Sequence, residues 1–172
     1  MRKMRAAVTA FFVYPGHMID KNEVKRIVDE WLVDKDYFLT DLTISTDNCI
    51  VIEIDHAQGV WIDDCVTLSR FVENALNREQ EDFELEVGSA GIGQPFKVQQ
   101  QYLNHVGDEV EILLFTGEKH KGMLTAANET GITLTTQEKR KEEGEKRPKL
   151  RDVVYEWKHE AIKQTKLVIH FT

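Results

Sequence analysis

Apolar side chains recur every three or four positions near the start of the chain, at Val24, Ile27, Val28, Trp31 and Leu32. That spacing places them on one stripe of an amphipathic helix. Asp20 stands at the cap position and Glu23 follows three residues on, so the pattern predicts a helix over residues 21–33. The period then drops to two. Leu42 and Ile44, and after them Ile50, Ile52 and Ile54, alternate with more polar residues on either side of Thr46, Asp47 and Asn48, which is turn chemistry. A hairpin is predicted there. Behind Asp63 and Asp64, whose carboxylates suit a helix N-terminus, Cys65, Leu68, Val72, Ala75 and Leu76 return to three- and four-residue steps. Phe83, Leu85 and Val87 then alternate with Glu84 and Glu86, predicting a third strand with one acidic face. Helix, strand, strand, helix, strand makes an α+β unit in which two helices cover a three-stranded sheet.

Past Val87 the periodicity breaks at three glycines within six residues, Gly88, Gly91 and Gly93, and Pro95 follows. Glycine tolerates the positive φ angles that a sharp turn demands, so the stretch is predicted as a joint between two units. A short helix over 99–105 comes next, then strands at 109–114, 119–127, 132–136, 153–155 and 167–171, with turns at Thr116-Gly117 and Glu129-Thr130-Gly131. Five short strands in so few residues predict a small closed barrel, which leaves no exposed sheet edge. Residues 138–149 interrupt it with mixed charge and no apolar stripe, and are predicted as a solvated hairpin tip. The predicted organisation is an extension at 1–17, an α/β domain at 18–90, a joint at 91–98 and an all-β domain at 99–172.

With 172 residues and 41% apolar content, the chain is long enough to bury a core. No apolar run approaches the roughly 20 residues of a membrane-spanning helix, so a soluble, cytoplasmic protein is expected. The first 17 residues join a basic start to an apolar run, but no small-residue cleavage site follows. They are read as an extension ahead of an alternative start at Met18. Charge divides the chain more sharply than its overall value of -8 suggests. Residues 1–90 carry 9 Lys/Arg against 18 Asp/Glu, whereas residues 91–172 carry 13 against 12. Without Arg2, Lys3 and Arg5, the stretch 18–90 holds 6 against 18, or -12. Such a unit repels phosphate and attracts basic partners. The tip at 138–149, with six Lys/Arg against four Glu, is weakly basic and keeps an RNA-contact reading open.

The candidate chemistry is sparse. Gly88-Ser89-Ala90-Gly91 spells GxxG, an RNA clamp when it joins two helices, but here a strand precedes it and Pro95 follows. It matches neither GxGxxG nor the P-loop. Asp63 and Asp64 suit a helix N-terminus, and Glu53 and Asp55 suit the solvent side of a strand. Cys65 lies on an apolar stripe, and neither it nor Cys49 has metal-ligand spacing, so both are read as reduced thiols. An enzyme would need a pocket gathering Asp55, His56 and Cys65. No catalytic residue, metal or cofactor is expected.

Three segments in order carry a resemblance: IDHAQGVWIDDCVTLSRFVE at 54–73, LEVGSAGIGQPF at 85–96 and GDEVEILLFTGEKHKGMLTAANETGITL at 107–134. Together they resemble the bacterial ribosome maturation factor RimP family over nearly all of residues 18–172. The joint departs from the family pattern, because Gly93-Gln94 replaces an acidic-basic pair before the proline. The resemblance implies an α/β domain followed by an Sm-like or SH3-like β-barrel. It also implies a monomeric, non-enzymatic factor for assembly of the 30S small ribosomal subunit, which binds subunit precursors and helps place the basic ribosomal protein S-twelve. On that reading Glu84 and Glu86 belong to the protein-partner face, and Gly88, Ser89, Gly91, Gly93 and Pro95 to the joint. The alternative is a barrel that contacts rRNA directly through Lys119, Lys121, Lys139, Arg140, Lys141, Lys146, Arg147 and Lys149.

Overall fold

A computed structural model describes residues 19–76, 82–91 and 93–170. The extension at 1–17, the start at Met18, Ile92 in the joint and the end of the last predicted strand at Phe171 lie outside the described residues.

Helix α1, Lys21–Leu32, begins where Asp20 accepts a hydrogen bond from the Asn22 amide, and it buries Val24, Ile27, Val28 and Trp31. Strands β1, Phe38–Ile44, and β2, Cys49–Asp55, form the predicted antiparallel hairpin. A bulge after Leu39 turns the buried Thr40 hydroxyl onto the Glu53 carbonyl, at 3.0 Å. Helix α2, Ile62–Ala75, starts one residue before the predicted acidic pair, with Trp61 as its cap and Asp63 and Asp64 in its first turn. Strand β3, Glu84–Ser89, lies parallel to β2 and completes the sheet in the order β1-β2-β3. A parallel neighbour requires a crossover, which α2 supplies. Both helices pack on one face of the sheet over Leu42, Ile50, Ile52 and Ile54.

Helix α3, Gln99–Asn104, leads into strands β4, Glu109–Leu114, β5, Lys119–Ala127, β6, Gly131–Arg140, β7, Lys149–Lys158, and β8, Ile162–Leu167. They form one antiparallel sheet in the order β7-β6-β5-β4-β8 around a second core of Val110, Ile112, Leu114, Leu124, Ile132, Leu134 and Ile162. The α+β unit and the small all-β unit are those the periodicity predicts.

Three details differ from expectation. The ladder between β6 and β7 runs out to Arg140 opposite Lys149, so the tip narrows to residues 141–148. Charged residues extend a strand when backbone pairing continues beyond the apolar core. The last strand begins at Ile162 and ends at Leu167, ahead of the predicted 167–171, because Thr165 takes a core position and masks the alternation. Finally, β7 and β8 are the two ends of the sheet, and among the described residues a 3₁₀ turn at His159–Ala161, not a ladder, joins them. Close strand approach depends on glycine at one place in particular. A Cβ at Gly131 would stand 2.2 Å from the Trp157 carbonyl oxygen.

Candidate protein-partner face

Burial of Ile50, Ile52 and Ile54 beneath the helices forces Cys49, Val51, Glu53 and Asp55 onto the opposite face of β2. The same alternation in β3 packs Leu85 and Val87, both partly buried, against the core and turns Glu84 and Glu86 outward, both exposed. In β1 the bulge restores the phase so that Leu42 is buried and Asp41 faces out. Register then lines the outward residues up in rows. Asp41, Glu53 and Gly88 form one row across the three strands, and Thr43, Val51 and Glu86 the next; Glu84 pairs with Cys49, and Asp55 with Phe38. Five carboxylates therefore share the face opposite α1 and α2. The two predicted ones, Glu84 and Glu86, lie on the edge strand.

Part of this face is already engaged. The Lys97 ammonium donates to Asp41 Oδ2 at 2.8 Å and to Glu53 Oε2 at 2.7 Å. Hydrogen bonding to Lys97 holds the Asp41 carboxyl below its usual range, and bonding to Asp41, then Glu53, raises the Lys97 ammonium above its own. Gln101, buried in α3, donates to Asp55 Oδ2 at 3.3 Å, while its carbonyl accepts from the Lys97 and Val98 amides at 2.7 and 3.2 Å. One glutamine thus caps its own helix and ties the helix to the acidic face.

The joint residues follow directly. Gly88 and Ser89 end β3, and the Ala90 amide donates to the Ile54 carbonyl at 3.3 Å. Gly93 has φ +79, a backbone form that disfavours side chains, whereas Gly88 and Gly91 do not use the left-handed region. Pro95 bridges to Lys166, and Phe96 donates its amide to the Thr165 carbonyl at 2.8 Å and packs edge-on against Tyr102. A cleft of about 330 Å³ lies between the units, lined in part by Asp55, His56, Ser89, Gly93, Gln101 and His105. Cys65 is not among its lining residues. Burial, then Asp64, pushes the Cys65 thiol upward, away from a reactive thiolate. Asp64 accepts a hydrogen bond from the Tyr37 hydroxyl, and burial together with Asp64 pushes that phenol up to about 12. The acidic start of α2 is thus bound into the first unit. Among the described residues no group of three or more His, Cys, Asp or Glu could hold a metal ion, and no helix is long and apolar enough to cross a membrane.

The predicted RNA contacts divide into two groups. Lys119 pairs with Glu111 at 3.7 Å, Lys121 with Glu109 at 3.5 Å, Arg140 with Glu138 at 3.0 Å and Lys149 with Glu145 at 2.8 Å. Lys139, Lys141, Lys146 and Arg147 are exposed and have no ion partner among the described residues. Behind the tip, Tyr155 stacks on Trp157 at 5.1 Å and His120 leans on both. The sequence reads Glu53 and Asp55 as solvated strand residues and gives no role to Asp41, Lys97 or Gln101. Alternation could have paired Glu53 with Asp55; nothing local signals that Lys97, 44 residues from Glu53, returns to it.

Comparison with known proteins bears on the same segments. A family model described as the RimP N-terminal domain matches residues 27–93. A protein named ribosome maturation factor RimP from Porphyromonas gingivalis is 42% identical over 132 residues, covering 77% of this chain and 87% of the relative. Proteins of the same name from Flavobacterium psychrophilum and Cytophaga hutchinsonii are 36% identical over 118 residues and 26% over 160. These cover 68% and 87% of this chain, and 76% and 96% of the respective relatives.

Proposed function

Because the chain belongs to the ribosome maturation factor RimP family, we propose that it is a non-enzymatic factor for assembly of the 30S small ribosomal subunit. It acts in the cytoplasm as a monomer on subunit precursors, and its acidic face receives the basic ribosomal protein S-twelve during incorporation. One observation carries this reading: five carboxylates on the sheet face opposite α1 and α2. A clustered negative field speeds encounter with a basic protein and repels rRNA phosphate, so the face selects protein over nucleic acid. The stretch 91–98 acts as the joint between an α/β domain and a β domain, with Gly88, Ser89, Gly91, Gly93 and Pro95 setting how they face each other.

Charge reversal of Glu84 and Glu86 to Lys tests the reading. Titration calorimetry should show S-twelve binding weakened by roughly tenfold or more, since like charges across an interface cost several kcal/mol. Unchanged affinity would refute the acidic-face mechanism.

The unpaired Lys139, Lys141, Lys146 and Arg147 favour a second reading, in which the β6–β7 tip contacts rRNA. Neutralising all four should flatten the salt dependence of rRNA binding by roughly one logarithmic unit per lost phosphate contact. An unaltered slope excludes it.

A further inference from the structure

None of the broad element-to-element packing crosses from the first unit to the second. A few polar links do so instead: Gln101 on Asp55, and the two bonds from Lys97 to Asp41 and Glu53. Lys97 travels with the second unit, because its neighbour Phe96 is hydrogen-bonded to Thr165 and packed on Tyr102. The Asp41 and Glu53 carboxylates are therefore both part of the acidic face and the seat on which the second unit rests.

We propose that Lys97 is a latch held in cis: a basic segment of a protein partner takes Asp41 and Glu53 in its place, and partner binding is thereby coupled to release of the second unit from the acidic face. The proposal rests on the partner-face reading above and adds its regulation.

The chemistry suits exchange. The Lys97 side chain is 38% exposed, and partly exposed ion pairs are worth only about 0–1 kcal/mol each, so an incoming ammonium or guanidinium displaces it without breaking a core. An arginine would gain further, since its planar fork engages carboxylates bidentately. Along the same face lie Asp55, Glu86 and, further off, Glu84, a row that favours a segment with several positive charges over a single one. Linkage is reciprocal: whatever opens the latch strengthens binding of the basic segment, and the segment opens the latch to the same extent.

Lys97→Met in the full chain removes the charge and keeps the length. An octalysine peptide should bind this variant about three- to tenfold more tightly, because the competent state no longer competes with a closed one. Lys163→Met, which removes an equal charge from an exposed position on β8, should leave octalysine affinity within about twofold and controls for net charge. Residual dipolar couplings should show the two units reorienting independently in Lys97→Met and not in Lys163→Met. The paired variant Asp41→Asn with Glu53→Gln should free the units in the same way but bind octalysine more weakly. Opposite affinity shifts with the same loss of orientation are the signature of the latch. Equal affinity changes in Lys97→Met and Lys163→Met, or units that stay fixed in Lys97→Met, overturn it. If octalysine follows this pattern while S-twelve ignores every one of these variants, the latch stands and the assignment of S-twelve falls.

Discussion

Thr165 shows how one side chain can hide a strand. It is fully buried, and its hydroxyl accepts from Tyr102 at 3.1 Å inside the second core. Burial raises the Tyr102 phenol, keeping it neutral and in need of a partner. Thr165→Val leaves that hydroxyl unsatisfied and should cost about 1–3 kcal/mol of unfolding free energy in urea. Adding Tyr102→Phe removes the orphan, so the double variant should be no less stable than the single Thr165→Val. Additive losses in this cycle would show that the bond is not coupled. Gly93 makes a similar point about the joint. The three glycines look equivalent in sequence, yet only Gly93 needs a positive φ, and a Cβ there would come within 3.2 Å of Ile169.

Among elements, the β6–β7 hairpin is where charge and structure part company. Its charged end is not uniformly loose: Glu138 accepts from the Tyr155 hydroxyl at 2.6 Å and pairs with Arg140, and Glu145 pairs with Lys149 and Arg151. Replacing residues 141–148 by a tight turn removes the Glu142 and Glu145 partners of Arg151, exposed or partly exposed pairs of about 0–1 kcal/mol each. Shorter loops also close at slightly lower entropic cost. The melting temperature should therefore fall by no more than about 5 °C. A larger fall in a thermal melt would mean that the tip organises the sheet. The edge strand β3 carries the other element-scale feature, since its free side presents Glu84 and Glu86 without a neighbouring strand.

At the scale of the molecule, two separate cores and a thin polar contact imply that each unit keeps its fold without the other. Residues 19–91 expressed alone should unfold cooperatively, and they should bind S-twelve at least as well as the full chain does, because Lys97 no longer occupies Asp41 and Glu53. Binding should weaken from low salt to physiological salt, where screening shortens the reach of exposed charge to about 8 Å. Binding confined to residues 93–170 would move the partner surface to the second unit.

The order of elements, the two cores and the two outward glutamates of β3 were legible in the chain because periodicity is local. A strand buried on one side must alternate, and a helix buried on one side must step by three and four. The family was legible as well, since its residue runs keep their order and spacing. What tertiary structure decided was which strands lie side by side. Parallel register between β2 and β3 brings Glu53 level with Gly88, and a bulge in β1 rephases Asp41 to stand beside Glu53. Sequence reading assigns two carboxylates to the partner face, where folding assembles five. The Lys97 contact, the true limits of β8 and the ion pairs that neutralise Lys119 and Lys121 were hidden for the same physical reason: each depends on atoms many residues apart meeting in space, and no short-range pattern records a long-range pairing.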